Sequence, residues 1–141
     1  MKYYLAYGSN LNMAQMKHRC PEATAVGASM LEGYQLVFRR GYLTIEKKEN
    51  SRVPVGIWKI SDGDEKALDR YEGYPGFYYK EEMTVEFCGE DIRAMVYIMH
   101  PVYPIEKPNH HYLQTVRDGY KDFCIGEIEG GLLDAYLRTY D

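Results

Sequence analysis

Cysteine is scarce in this chain. Cys20, Cys88 and Cys124 are the three present, an odd number with no Cys-x-x-Cys among them. That excludes a self-sufficient disulfide framework and points to reduced thiols in a cytosolic protein. No apolar run is long enough to cross a bilayer, and Lys2-Tyr3 leads straight into the first strand with no signal-like segment before it. A cytoplasmic location and no membrane partner are therefore expected. Basic blocks are absent too, and the formal net charge is -4, which argues against nucleic acid as a partner. His18 and His100 stand alone, and the adjacent His110 and His111 would point about 100° apart on a helix, so no metal is expected. Gly8 lacks the later Gly-Lys-Ser/Thr of a phosphate loop, and Ser9 is not in a Gly-x-Ser-x-Gly elbow. Repeats, linkers and low-complexity segments are missing, and 141 residues suit one domain spanning 1–141.

What the chain has in quantity is tyrosine, 15 residues of it within a hydrophobic share of 45%. Tyrosine suits a half-polar cavity, because its ring is apolar and its hydroxyl bonds to a ligand. The charged share of 27% is ordinary for a globular protein.

The stretch Tyr7-Gly8-Ser9-Asn10-Leu11 stands between an apolar run, Tyr3 to Ala6, and a stretch of helical spacing, Asn12 to Arg19. It is a strand-to-helix turn. Successive backbone N–H groups in such a turn form a nest for an anion, and Gly8, without a β-carbon, lets a ligand come close. Taken alone, the commoner outcome is a turn in which Ser9 and Asn10 only satisfy local backbone groups.

The remaining pattern is of short strands and a few helices. Asn12 caps a helix with Met13 and Met16 on one face, ended by Pro21. Thr24–Met30 and Tyr34–Arg39 read as strands divided by a turn at Glu32-Gly33, and Tyr42–Lys47 as another. The polar run from Lys47 to Arg52 reads as a solvated loop. Val53 to Ile60 alternates, with Val55, Ile57 and Lys59 opposite Gly56, Trp58 and Ile60. Ser61-Asp62-Gly63-Asp64 is a capping box with Asp for the usual Glu; it opens a helix with Ala67, Leu68 and Tyr71 inward, closed by Gly73 as a left-handed cap. Tyr78–Phe87 and Ile92–Met99 form a hairpin across Cys88-Gly89-Glu90-Asp91. Asn109 caps a helix with Tyr112, Leu113, Val116, Tyr120 and Phe123 along one stripe. Gly126 and Gly130-Gly131 break the chain before a last amphipathic turn or two around Leu132, Leu133, Tyr136, Leu137 and Tyr140. The class is α+β, with an antiparallel sheet curled into a small barrel.

Glu72 stands at the C-terminal end of its helix, where the helix dipole disfavours a carboxylate. A residue in an unfavourable place invites a functional explanation, although most glutamates are simply solvated.

Together these residues resemble the γ-glutamylcyclotransferase-like family. Tyr7-Gly8-Ser9-Asn10-Leu11 resembles its signature loop. Gly41-Tyr42-Leu43-Thr44-Ile45 and Val55-Gly56-Ile57-Trp58-Lys59 resemble its central strands. Leu68-Asp69-x-x-Glu72-Gly73, then Tyr78, resembles the segment with its catalytic acid, and Pro108-x-x-x-Tyr112-x-x-x-Val116-x-x-Gly119 its C-terminal helix. The resemblance runs from residue 3 to about residue 120 and leaves out the tail beyond Gly126. Tyr42 departs from it, standing where a second Gly is common.

The resemblance implies a small antiparallel β-barrel flanked by helices, with a pocket at one mouth. It implies a γ-glutamyl small-molecule substrate, cyclised without a cofactor to 5-oxoproline and a free amine or amino acid. It implies Glu72 as the catalytic acid/base, with Tyr7, Gly8, Ser9, Asn10, Leu11, Tyr78 and Tyr112 on the substrate. Tyr78 and Tyr79 compete for one of these roles; Tyr79 shares parity with Met83, Val85 and Phe87, so Tyr78 is preferred. A monomer or homodimer is expected. Two rivals stay open: a non-catalytic module binding a carboxylate ligand on the same fold, and a hydrolase that releases glutamate through water.

Overall fold

A computed structural model describes residues 1–126 and 131–140; Gly130, named above as a chain break, lies outside the described residues. In chain order the elements are β1 (Lys2–Ala6), a 3-10 turn (Ser9–Leu11), α1 (Met13–Arg19), β2 (Thr24–Arg39), β3 (Tyr42–Ile60), α2 (Asp62–Glu72), β4 (Tyr78–Phe87), β5 (Glu90–Met99), α3 (His110–Asp122) and α4 (Leu132–Arg138). The class is α+β, as the sequence reading has it.

The five strands form one sheet in the order β2-β3-β1-β5-β4. Three of its pairings are antiparallel, whereas β1 runs parallel to β5, with Tyr3 opposite Ala94 and Tyr4 opposite Met95. The sheet is mixed and remains open, so the barrel is a loose one. It curls until its outer strands touch: the Ser29 hydroxyl donates to the Glu86 carbonyl, and the Phe87 ring fills the space beside Gly27.

The greatest departure from the sequence reading is at β2 and β3. The ladder between them is interrupted at Gly33 and residues 48–51, which have no partners, and resumes on either side. Both run on as a single long hairpin, turning at Arg40 (φ 53°) and Gly41 (φ 82°). Glu32 pairs with Arg52 and Tyr34 with Lys47, and the register shift between them absorbs the extra residues of β3. Residues 48–51 bulge out opposite Gly33, with 48–50 exposed and Asn50 (φ 64°) and Gly33 (φ 84°) in left-handed conformations. The solvated excursion expected at 47–52 is there, inside one hairpin rather than between separate ones.

The core lies between the sheet and the helices, around Leu5, Phe38, Ile57, Ile60, Val96 and Met99. Two features of it set the site. α2 starts at the expected capping box: the Ser61 hydroxyl accepts from the Asp64 N–H, and the Asp64 carboxylate accepts from the Ser61 N–H, each at 3.1 Å. It ends at Gly73 with φ 63°, a left-handed conformation that favours glycine. Glu72 is thereby the last helical residue. α3 is capped by Asn109, which accepts from the Tyr112 N–H at 2.7 Å. α3 packs on the 3-10 turn through Gly119, where a β-carbon would come within 2.6 Å of the Asn12 nitrogen. That close approach carries Tyr112 to the turn.

β4 and β5 form the expected hairpin, turning at Cys88 (φ 53°) and Gly89 (φ 80°), the two positive φ values that a tight hairpin turn matches to strand twist. Leu68 is buried as expected, but Tyr71 is 44% exposed. It lies over the turn at the end of β1 rather than in the core.

Candidate active site

β1 delivers the chain into a cavity of about 190 Å³. Its floor and one wall come from Tyr7, Gly8, Ser9 and Asn10; Glu72, Tyr78 and Tyr112 close it from three other elements. The chain thus gathers in one place residues that lie in three separate sequence segments. Leu11 is the exception among the residues named from sequence. Its side chain is fully buried in the core, and its N–H donates to the Gly8 carbonyl at 3.0 Å. The 3-10 turn needs that bond, so the nest loses its last member. Among the described residues, the N–H groups of Gly8, Ser9 and Asn10 have no acceptor in the protein.

The turn is held from behind. The Trp58 indole N–H donates to the Asn10 carbonyl at 2.9 Å. The Asn10 amide nitrogen donates to the Tyr4 hydroxyl at 2.9 Å and lies 3.4 Å from a Glu72 carboxyl oxygen. Ser9 and Tyr71 share a hydroxyl–hydroxyl bond of 3.0 Å. Gly8 faces Tyr112 so closely that a β-carbon would sit 3.0 Å from its hydroxyl.

The tyrosines are fixed by the backbone. The Tyr7 hydroxyl donates to the Tyr97 carbonyl at 2.6 Å, and the Tyr78 hydroxyl to the Leu43 carbonyl at 2.8 Å. The Tyr112 hydroxyl accepts from the Leu43 N–H at 3.1 Å. Tyr78 lines the cavity; Tyr79 is half-buried on the other face of β4 and packs on His100. Burial, aided by the nearby Glu72 carboxyl, pushes the hydroxyls of Tyr4, Tyr7 and Tyr112 well above the usual tyrosine range. They are neutral hydrogen-bonding groups at any physiological pH.

Glu72 as a residue is partly exposed, but its carboxyl group is enclosed by the cavity. Burial raises it to about 8, with the Arg19 guanidinium opposing the rise. A carboxyl group poised near neutrality, in a cavity with free amide donors, is suited to taking and returning a proton. Among the described residues no cluster of His, Cys, Asp or Glu is placed to hold a metal.

The model of the family "Gamma-glutamyl cyclotransferase, AIG2-like" matches residues 4–120. The chain belongs to this family. Gamma-glutamylcyclotransferase of Bos taurus is 28% identical, over 96% of this chain and 74% of the relative. The Homo sapiens protein of the same name is 28% identical, over 92% of this chain and 71% of the relative. A solved gamma-glutamyl cyclotransferase superposes with a TM-score of 0.85 at 25% identity, covering 96% of this chain and 87% of that one. YkqA from Bacillus subtilis shares the fold, with a TM-score of 0.81 at 19% identity, 97% of this chain and 54% of the other being covered. The protein is a gamma-glutamylcyclotransferase-like enzyme.

Within this family member, the cavity also uses residues to which the sequence reading gave no role. Tyr4 and Tyr97 line it from β1 and β5, and read from sequence they were ordinary strand residues. Phe77 and Tyr42 form its outer wall, their rings edge to face at 6.3 Å, with Tyr42 also edge to face on Tyr112 at 5.2 Å. Tyr42 thus adds an aromatic ring to the cavity wall. Arg19 stood at the end of a short helix with no signal to mark it. No helix among the described residues is long and apolar enough to cross a membrane.

Proposed function

We propose that the protein is a γ-glutamyl cyclotransferase with Glu72 as its proton shuttle. The α-amine of a γ-glutamyl compound attacks the compound's own γ-carbonyl carbon. One C–N bond forms, closing the ring of 5-oxoproline, and the C–N bond to the leaving amine breaks. The α-ammonium gives up one proton before attack and a second as the lactam N–H forms, while the leaving nitrogen gains one as its C–N bond breaks and another as it departs as an ammonium. Glu72 takes the proton that frees the amine and returns it to the leaving nitrogen, and the second proton passes in the same sense, so the step balances without water or cofactor.

The chain's other residues hold the substrate for that transfer. The N–H groups of Gly8, Ser9 and Asn10 receive the α-carboxylate, as successive backbone amides do. Tyr7, Tyr78 and Tyr112 enclose the glutamyl chain and hold it folded, so the amine stays against the carbonyl. The observation that carries the reading is the shared cavity of Glu72 and the free amides of the turn. An anion-binding module alone has no use for a carboxyl group raised to about 8 beside its anion site.

The test is a panel of γ-glutamyl amino acids, peptides and amines incubated with the protein, with both 5-oxoproline and glutamate quantified. Release of 5-oxoproline is expected. Glutamate in its place identifies a hydrolase, and binding without either product identifies a module.

A further inference from the structure

Arg19, the last residue of α1, does not line the cavity but grips two residues that do. Its guanidinium donates to the Asn10 amide oxygen at 2.7 Å and to the Gln15 amide oxygen at 2.6 Å. Its plane also lies over the Tyr71 ring, 3.5 Å from the centroid. A guanidinium has five N–H donors and no acceptor. The Asn10 side chain therefore has to turn its oxygen toward Arg19, which leaves its nitrogen facing the Tyr4 hydroxyl and Glu72. The same contact holds Tyr71 where its hydroxyl meets Ser9.

We propose that Arg19 is a positioning residue: it locks the Asn10 amide with its nitrogen toward Glu72 and pins Tyr71 against Ser9, so that a side chain outside the cavity sets the state of the acid inside it. The kinetic part of this inference rests on Glu72 being the proton shuttle; the orientation itself does not.

The surroundings of Glu72 single Arg19 out. Tyr4 and Tyr7 face it from β1 and its end, Tyr78 from β4, Tyr97 from β5 and Tyr112 from α3, all as neutral hydroxyls. Arg19 supplies the opposing charge. Lysine would keep that charge but not the planar fork that reaches Asn10 and Gln15 together while stacking on Tyr71.

The experiment titrates the Glu72 carboxyl in the ligand-free protein, by carbon NMR or infrared carboxylate bands, with Glu72→Gln as the assignment control. Wild type is expected to titrate near 8. In Arg19→Met the midpoint should rise by about one unit or more, leaving about tenfold fewer carboxylates at pH 7. Arg19→Lys should fall between the two. In the same variants kcat at pH 7 should drop with that fraction and recover at alkaline pH, while KM changes much less. A folded Arg19→Met protein in which Glu72 titrates as in wild type overturns the proposal. If Arg19→Met does not fold, Arg19→Lys decides: a midpoint above wild type supports it and an equal midpoint overturns it. A wild-type rate in Glu72→Gln would remove the shuttle reading and leave the titration result standing, so the two failures are distinguishable.

Discussion

The side-chain nitrogen of Asn10 lies 3.4 Å from a carboxyl oxygen of Glu72, across sixty-two residues of chain. One end of this contact is fixed by the 3-10 turn and the Trp58 indole, the other by the helix that Gly73 terminates. The turn and the carboxyl group are thereby held in one place by the two ends of unrelated local structures. The predictions below follow from that pairing and its surroundings.

Glu72→Gln keeps the shape of the side chain but accepts no proton. We expect kcat to fall by about 10² to 10⁴ with the substrate still bound, because the amides that receive its carboxylate are untouched. In wild type, kcat/KM should rise with pH as the free-enzyme carboxyl ionises toward about 8 and level off above it; the variant should lack that limb. Glu81 and Glu82, exposed on β4, should tolerate the same change. A pH–rate profile of the three variants checks all of this.

The same carboxyl group should leave a mark on stability. Its folded-state value, about 8, lies above the ordinary 4.5, so between these limits the folded state binds more protons than the unfolded state. Its contribution is fully present below the unfolded value and is lost as pH rises through the folded one. Wild type should therefore lose stability relative to Glu72→Gln between about pH 5 and pH 9. Paired denaturant titrations at several pH values read the difference, and parallel curves would contradict it.

Gly8 and Tyr112 should be coupled. A β-carbon at Gly8 would stand 3.0 Å from the Tyr112 hydroxyl. Gly8→Val should abolish substrate binding while leaving the fold largely intact. Gly8→Ala should raise KM, and less so in a Tyr112→Phe background, where the hydroxyl is gone. The double-mutant cycle should show a coupling of about 0.5 kcal/mol or more, the range for residues in contact. Strict additivity would contradict the geometry.

Activity should survive a strong chelator. Among the described residues, the His, Cys, Asp and Glu side chains are too dispersed to form a metal site, and the proposed cyclisation asks of the protein only binding and proton transfer. Loss of turnover on chelation, restored by added zinc, would contradict it.

Much of this protein is legible residue by residue. Asn12, Ser61 and Asn109 cap helices as their types predict, and Gly73 ends α2. These are local events: a hydroxyl, carboxylate or amide meets an N–H two or three residues away. The hairpin of β4 and β5 reads from alternation and its turn for the same reason. The polarity of residues 47–52 marked the unpaired, exposed bulge at 48–51, but not that the ladder to β2 resumes beyond it with Arg52 opposite Glu32, because that pairing is made by the backbone and not by the side chains.

The sequence by itself determined the helix ends, the turn that opens the cavity, the presence of an acid at the end of α2 and the α+β class. Each depends on contacts within a few residues. Only the tertiary structure decided that β1 lies parallel to β5, that Tyr4, Tyr97 and Phe77 meet around one cavity, and that Arg19 orients Asn10. It also removed Leu11 from the cavity and left Tyr71 at its rim. These outcomes depend on how a curled sheet brings distant segments within bonding distance. Spacing along a chain does not encode that, because burial and pairing are settled only when the strands have chosen their neighbours.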